Sequence, residues 1–508
     1  MTAGGSAIGN SPASHRHPNV VVVVLDCMRS IDFAGGSDPV PGLPASEKLR
    51  TESMIFPQAV APSPWTIPSH ASLFTGLYPW EHRTHYRASL LMDPSVPTLA
   101  GAFSDAGYSS IALSANGFVS PDFRLTNGFE AVGWGDWWER YFRVPTRTLP
   151  PRAERLAPTQ RLPSGALWRS MTTRVSYTHR LPGAWDLLNR VAHQVRWRGD
   201  PRALAVSPWI EPTLDRWLTG KPVETPVFCF VNYMETHEPY LTDPAVVSRL
   251  AAWLPYAGQR IDRTSILTGD WKASAEDFRR IRELYRQSVR LADQRLGALI
   301  DVLKRTNRWD NTVLVIVGDH GQAIGEHGFL FHGIQPWESI LRVPLWYRRP
   351  DGRFAGTIGQ GTASLVDVAP TVLADAGLAP ARVQSGVHLG SLAESRREGP
   401  AYSVSDGVHR TSIVGGQERS EGVIRLDRVW VTAFQGDLKI VWDCGLGRAT
   451  AYDLRRDPGE TLDVFDEGSP DMLRLASEAR HRAELMQSSE AVTESVEVDE
   501  RLRSWGYT

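Results

Sequence analysis

The chain has 508 residues, 42% hydrophobic and 22% charged, with a net charge of -2. That composition excludes a disordered or fibrous protein, and the near-neutral balance excludes bulk attraction to nucleic acid or an anionic membrane as its defining property. Three cysteines, Cys27, Cys229 and Cys444, are too few for a disulfide scaffold and fit a reducing compartment.

Residues 1–18 read as a disordered lead-in, with small and polar residues where a signal peptide carries an apolar segment. No run approaches the roughly 20 apolar residues that span a bilayer, so the expectation is a soluble, cytoplasmic chain without a membrane span. NVVVVVLD (19–26) is a continuous β-branched run, the pattern of a strand buried on both faces of a parallel sheet. Similar runs follow at SSIALSAN (109–116), PVFCFVNYM (226–234) and NTVLVIVGD (311–319), with helical stretches between them at 95–107 and 276–306. Alternating strands and helices predict an α/β fold with a mostly parallel central sheet flanked by helices. In such sheets chemistry gathers at the carboxyl ends of strands. Three of these runs end in polar groups: Asp26, Glu235 with His237, and Asp319 with His320.

Residues 140–203 interrupt the pattern with 13 arginines, no lysine and three acidic residues. This Arg/Trp-rich insertion is either a solvated basic face or a lid that draws anions toward a nearby cleft. No nucleic-acid motif accompanies the charge, and nucleic acid is not the expected partner. From 401 the character changes again: three short strand-like segments between 428 and 456 and a terminal helix at 470–487 predict a small C-terminal α+β domain. The domain reading is thus a catalytic unit over 19–400 and a smaller unit over 401–508. The sequence carries no signal for an oligomeric state.

The segment APSPWTIPSHASLFTGLYP (61–79) is the most informative. Thr66 stands where a helix starts, Pro68 suits its first turn and Gly76 its C-terminal stop. A hydroxyl there faces free backbone N–H groups and the positive end of the helix dipole, a setting that attracts sulfate or phosphate. Asp26 closes one buried strand, and GDHGQAIGEHG (318–328) closes another. An Asp and an Asp-His pair on strand ends of one sheet form an oxygen-plus-imidazole set for a divalent cation. The plain alternatives are that Thr66 only caps its helix and that Asp319 and His320 only close a turn.

These segments resemble the sulfatases of the alkaline phosphatase superfamily over most of the chain. VVLDCMRSIDF (23–33) looks like their opening metal strand, TIPSHASLFTG (66–76) like their Cys-x-Pro-Ser-Arg signature, and 318–328 like their second metal segment. HGIQPWESILRVPL (332–345) looks like their substrate-anion loop, and 364–377 and 451–464 resemble later landmarks. The resemblance implies a sulfatase-like sandwich fold and one divalent metal, with Ca, Mn, Mg and Zn all compatible with the ligands. It implies Asp26, Asp319, His320 and Thr66 as metal ligands, and Thr66 as the nucleophile. It also implies His237 near the leaving group and His332 at the anion-binding position. A locally bonded loop histidine is the alternative for His332. Asn116 and His70 are further candidate contacts to the substrate anion.

Three departures from the family pattern shape the expected chemistry. Thr66 stands where sulfatases carry the Cys or Ser that becomes formylglycine, so no formylglycine is expected and attack at phosphorus is favoured over sulfate. His70 replaces the signature arginine. Cys27 occupies the place of a second metal-binding Asp and reads as a small buried residue in preference to a soft ligand. The leading expectation is a metal-dependent hydrolase of small anionic phosphate or sulfate esters that works through a covalent intermediate. The alternatives are a phospho- or sulfo-group transferase acting on a small metabolite and a non-catalytic anion-binding scaffold.

Overall fold

The computed structural model of the chain describes residues 17–134, 207–238, 240, 274–380, 382–406 and 429–487. The Arg/Trp-rich segment 140–203 and the lead-in up to residue 16 lie outside the described residues. In chain order the strands are β1 (Asn19–Leu25), β2 (Met54–Val60), β3 (Ser109–Ser114), β4 (Ala131–Trp134), β5 (Val227–Tyr233), β6 (Thr312–Val317), β7 (Ala323–Ile324), β8 (Leu330–Phe331), β9 (Arg342–Arg348), β10 (Ala401–Ser405), β11 (Trp430–Gln435), β12 (Leu438–Asp443) and β13 (Arg448–Asp453). Seven of them form the central sheet in the order β2-β9-β6-β1-β5-β3-β4.

The β-branched run of β1 sits at the middle of this sheet, and its side chains divide between two cores. Val21, Val23 and Leu25 pack on one face with the 31-residue helix Ala275–Arg305, through Ile281, Leu284, Tyr285, Val289 and Leu296. Val20, Val22 and Val24 pack on the other with the helix Thr66–Thr75, through Ile67, Ala71, Leu73 and Phe74. Each fully buried Val or Leu contributes about 1.5–3 kcal/mol, so a strand without polar alternation is what a two-sided core requires. Ser274 and Asp277 start the long helix with a reciprocal capping box.

β1 runs parallel to both β5 and β6, and β3 parallel to β5, with Leu25 opposite Tyr233, Val24 opposite Val317 and Ser114 opposite Asn232. These registers bring Asp26, Asn116, the turn 234–238 and Asp319–His320 out of the sheet along one edge. At this end of the sheet β2 is the edge strand and β9 pairs antiparallel with both it and β6, with a register shift between Phe56 and Ala59 of β2. Their prolines, Pro57 and Pro344, mask them as strands in the sequence; Pro57 is accommodated at the irregularity of an edge strand.

β10 to β13 form a separate antiparallel sheet covered by the helix Pro470–Gln487, with Leu475, Ala479, Ala483 and Met486 against Val431, Ala433 and Ile440. This sheet grips the loop that follows His332. Lys439 is fully buried, and its Nζ donates to Pro336 O at 2.6 Å, to Glu338 at 3.3 Å and to Glu460. Glu460 in turn accepts the Glu338 backbone N–H at 2.7 Å, and Ser405 Oγ donates to Ile334 O. No helix among the described residues is long and apolar enough to cross a membrane.

Candidate active site and metal centre

Thr66 is the first residue of its helix, and the N-cap is Trp65, which makes no side-chain capping bond. The Thr66 hydroxyl is therefore not consumed as a cap. Gly76 ends the helix in the left-handed conformation that favours glycine, with φ of 71°. Thr66 Oγ1 lies 3.4 Å from His320 Nε2 and 3.4 Å from Asn116 Nδ2.

The two carboxylates beside it are held in the same way, each by one oxygen. Asp319 Oδ1 accepts the backbone N–H groups of Cys27 at 3.2 Å and His320 at 2.9 Å. Asp26 Oδ2 accepts Asn116 Nδ2 at 2.7 Å. The other oxygens, Asp26 Oδ1 and Asp319 Oδ2, are buried without a hydrogen-bond partner. His320 donates Nδ1–H to Gly321 O at 3.0 Å, which leaves its Nε2 as a lone-pair nitrogen, 3.3 Å from Asp319 Oδ2 and 4.0 Å from Asp26 Oδ1. Two orphaned carboxylate oxygens and an imidazole lone pair thus converge beside a hydroxyl. Acceptors crowd together in this way at low cost only around a cation.

The electrostatics agree with that reading. Burial, reinforced by the Asp319 charge, pushes Asp26 up to about 6. Burial pushes Asp319 up to about 7 and holds His320 below its ordinary value. Asp26, Asp319, His320 and Thr66 therefore fit a divalent cation, and the oxygen-rich set with one imidazole suits a hard or borderline ion. Gly321 is required where it stands, because a Cβ there would come within 2.3 Å of Ser339 O.

His237 and His332 form the facing side. Their rings stand edge to face at 5.1 Å, and the His332 ring lies 4.4 Å from that of His320. His237 Nδ1 donates to Glu238 O at 2.7 Å. Gln322 Nε2 donates to Glu238 Oε2 at 2.9 Å and to Tyr240 Oη at 2.6 Å. Gln322 Oε1 is therefore the acceptor of His332 Nδ1–H at 2.7 Å.

Comparison with known proteins places the chain. A model of the family described as Sulfatase matches residues 18–378. The chain belongs to the sulfatase family. It is an ester hydrolase of the alkaline phosphatase superfamily. Among curated relatives, the choline-sulfatase of Rhizobium meliloti is 25% identical over 474 residues, 88% of this chain and 82% of that protein. A multifunctional alkaline phosphatase superfamily protein of Trinickia caryophylli is 26% identical over 404 residues, 70% of this chain and 73% of its own. Among solved structures, a phosphonate monoester hydrolase of Agrobacterium radiobacter superposes with a TM-score of 0.62 at 19% identity, covering 93% of this chain and 95% of that one. The last likeness is one of fold.

Within this sulfatase-family frame two expectations need correction. His70 is not a contact for the substrate anion. It is fully buried, donates Nδ1–H to Thr66 O at 2.9 Å, and packs its ring near Phe74 and Phe230. Burial lowers its pKa to about 3, so it is a neutral brace under the helix. Glu235 also turns away from the cleft, accepting Ser207 N and Oγ, each at 3.1 Å, and facing Arg295 at 3.4 Å. Cys27 is the small buried residue expected, and its Sγ lies 3.5 Å from His332 Nδ1 and 3.7 Å from His320 Nδ1. Asn116 is placed first of all to orient Asp26, through the 2.7 Å bond.

Sequence reasoning passed over Glu238, Gln322 and Tyr240, which fix the two histidines. The signal was present in METHEPY and DHGQ, where polar residues adjoin the chosen ones, but only the fold shows which of them turn inward. It also passed over Tyr285 of the long helix. Tyr285 Oη donates to Cys27 O at 2.9 Å and accepts Arg29 N at 2.8 Å. It thereby braces a turn in which Cys27 adopts a left-handed φ of 60°.

Proposed function

We propose that this chain hydrolyses phosphorus esters (phosphate mono- or diesters, or phosphonate monoesters) in preference to sulfate esters, with Thr66 as the nucleophile. The observation that carries the reading is the uncapped Thr66 hydroxyl at a helix N-terminus, beside two orphaned carboxylate oxygens and the His320 lone pair. A threonine does not yield the formylglycine of sulfatases, which supports attack at phosphorus. The phosphonate monoester hydrolases among the solved relatives agree with that substrate class.

Asp26, Asp319, His320 and Thr66 are the residues that would hold a divalent cation, whose chemistry here is to acidify the hydroxyl and offset charge on the substrate oxygens. Thr66 Oγ1, its proton lost to solvent, attacks phosphorus in line, forming the Thr66 O–P bond as the ester P–O bond breaks. His237, protonated on Nε2 and held through Nδ1 by Glu238 O, gives its proton to the departing oxygen. The helix N-terminus, Asn116 Nδ2 and His332 steady the equatorial oxygens. Water, deprotonated by the now neutral His237, then cleaves the phosphothreonine and restores the hydroxyl.

The test is turnover of matched aryl phosphate, phosphodiester, phosphonate and sulfate substrates by the intact protein and by Thr66→Ala, with intact mass after a rapid acid quench. Phosphorus-ester cleavage lost in Thr66→Ala, with a phosphoryl mass increment on the wild-type chain only, supports the reading. Cleavage that survives Thr66→Ala, or a strong preference for sulfate, overturns it.

A further inference from the structure

A second set of ligand atoms adjoins the first through Cys27, whose Sγ also lies within 4.8 Å of ligand atoms of Asp26 and His320. Cys27, His237, Glu238 and His332 each offer one, and all four atoms lie within 4.8 Å of one another. Three of the separations lie close to the edges of a coordination polyhedron: Cys27 Sγ to His332 Nδ1 is 3.5 Å, His332 Nδ1 to Glu238 Oε2 3.7 Å, and His237 Nδ1 to Glu238 Oε2 3.4 Å. Tetrahedral zinc, with a sulfur at about 2.3 Å and nitrogen or oxygen at about 2.0–2.1 Å, demands ligand-to-ligand edges of roughly 3.3–3.6 Å.

We propose that Cys27, His237, Glu238 and His332 form a second metal centre, distinct from the one beside Thr66 and selective for a zinc-class cation. The set is an interior one: His237, His332 and Glu238 have side chains 2%, 4% and 13% exposed, and Cys27 is fully buried. The fold holds the thiol there by force of the turn, because Cys27 keeps a left-handed backbone that Tyr285 and Asp319 pin from both sides. Gln322 Nε2 holds Glu238 Oε2 at 2.9 Å and so orients one of the four ligands. Sulfur and imidazole select zinc-class ions, whereas the oxygen-rich site beside Thr66 accepts harder ones.

Loading balances without a co-reactant. The thiol gives its proton to solvent as the Sγ–metal bond forms. Each imidazole binds through Nδ1 and carries its proton on Nε2 instead, so the contacts to Gln322 Oε1 and Glu238 O relax. The two rings then present Nε2–H groups, polarised by the ion behind them, on their opposite edges. The ion thus supports hydrogen-bond donation from the two Nε2–H groups to substrate oxygens, while its presence is independent of whether Thr66 is the nucleophile.

The experiment is metal counting on the full chain, stripped with chelator and reloaded with zinc(II) or cobalt(II) alone. Wild type is expected to hold two equivalents, and the cobalt form to show thiolate-to-cobalt absorption in the near ultraviolet. Cys27→Ser and His332→Gln are expected to keep one equivalent, lose that absorption and retain the wild-type far-ultraviolet circular dichroism. Asp319→Asn is expected to keep the absorption while losing the other equivalent. One equivalent in wild type, or cobalt absorption unchanged by Cys27→Ser, overturns the proposal. Neither result depends on turnover, so a failure of the nucleophile assignment shows only in the substrate assay with Thr66→Ala and leaves the wild-type metal count and the cobalt absorption unchanged.

Discussion

The two sides of the cleft are held by different means. On the Thr66 side, the carboxylates stand on the ends of central strands, and backbone N–H groups and Asn116 fix one oxygen of each. On the histidine side, side chains fix one another: Gln322 joins His332, Glu238 and Tyr240, and the loop beyond His332 is gripped by the C-terminal sheet. The first side is a consequence of parallel strand register. The second exists only when two sheets and two loops are assembled together.

The sharpest way to break that division is Thr66→Ala, expected to lower kcat/KM by roughly 10⁴- to 10⁶-fold, the scale of losing a nucleophile, with far-ultraviolet circular dichroism unchanged. An equal loss from His237→Gln on activated substrates would erase the contrast. His237→Gln is instead expected to cost about 10²- to 10⁴-fold with alkyl leaving groups and far less with 4-nitrophenyl, since an activated leaving group needs no proton; paired rate measurements read this directly. Asp319→Asn should weaken divalent-metal affinity by more than about 100-fold, because it removes a charged ligand and not merely an orienting partner. Isothermal titration of the stripped protein measures it. Asn116→Ala, which only frees Asp26, should cost about 10- to 100-fold in the same titration.

The smallest effect is one of stability. Asp26 and Asp319 have folded-state pKa values of about 6 and about 7, above the roughly 3.9 of an unfolded Asp. The metal-free native state therefore binds more protons than the unfolded chain between about pH 4 and 7. Stability from these groups is full below pH 4 and is lost as pH rises through 7. The melting temperature of the stripped protein should fall by several degrees from pH 5 to pH 8, and the fall should flatten in Asp319→Asn and on adding metal. A stripped protein whose melting temperature rises over that range would contradict the orphaned-carboxylate account.

Much of the first side was legible in the sequence. Unbroken β-branched runs announce a buried parallel sheet, and polar residues directly after such runs fall on one edge of it by topology alone, which is why Asp26, Asp319 and His320 could be named together. Thr66 was legible from the helix signals around it. The rest depended on side-chain direction. Glu235 and His237 are two residues apart on the same turn, yet one faces Arg295 and the other the cleft. His70 follows Thr66 by one helical turn, and that spacing sends it to the Thr66 carbonyl beneath the site. Cys27 could not be weighed from its neighbours in sequence, since its contacts come from residues some 300 positions later.

The grip of Lys439 on the loop after His332 also imposes an order on biosynthesis. As a ribosome emits the chain, the strand ends bearing Asp26, Asn116 and Asp319 can find their registers before residue 439 has been made. The loop bearing His332 gains its anchor only when Lys439, and then Glu460, have emerged. A chain that has not yet gained Lys439 and Glu460 would hold the oxygen-lined hollow without the anchored loop that carries His332.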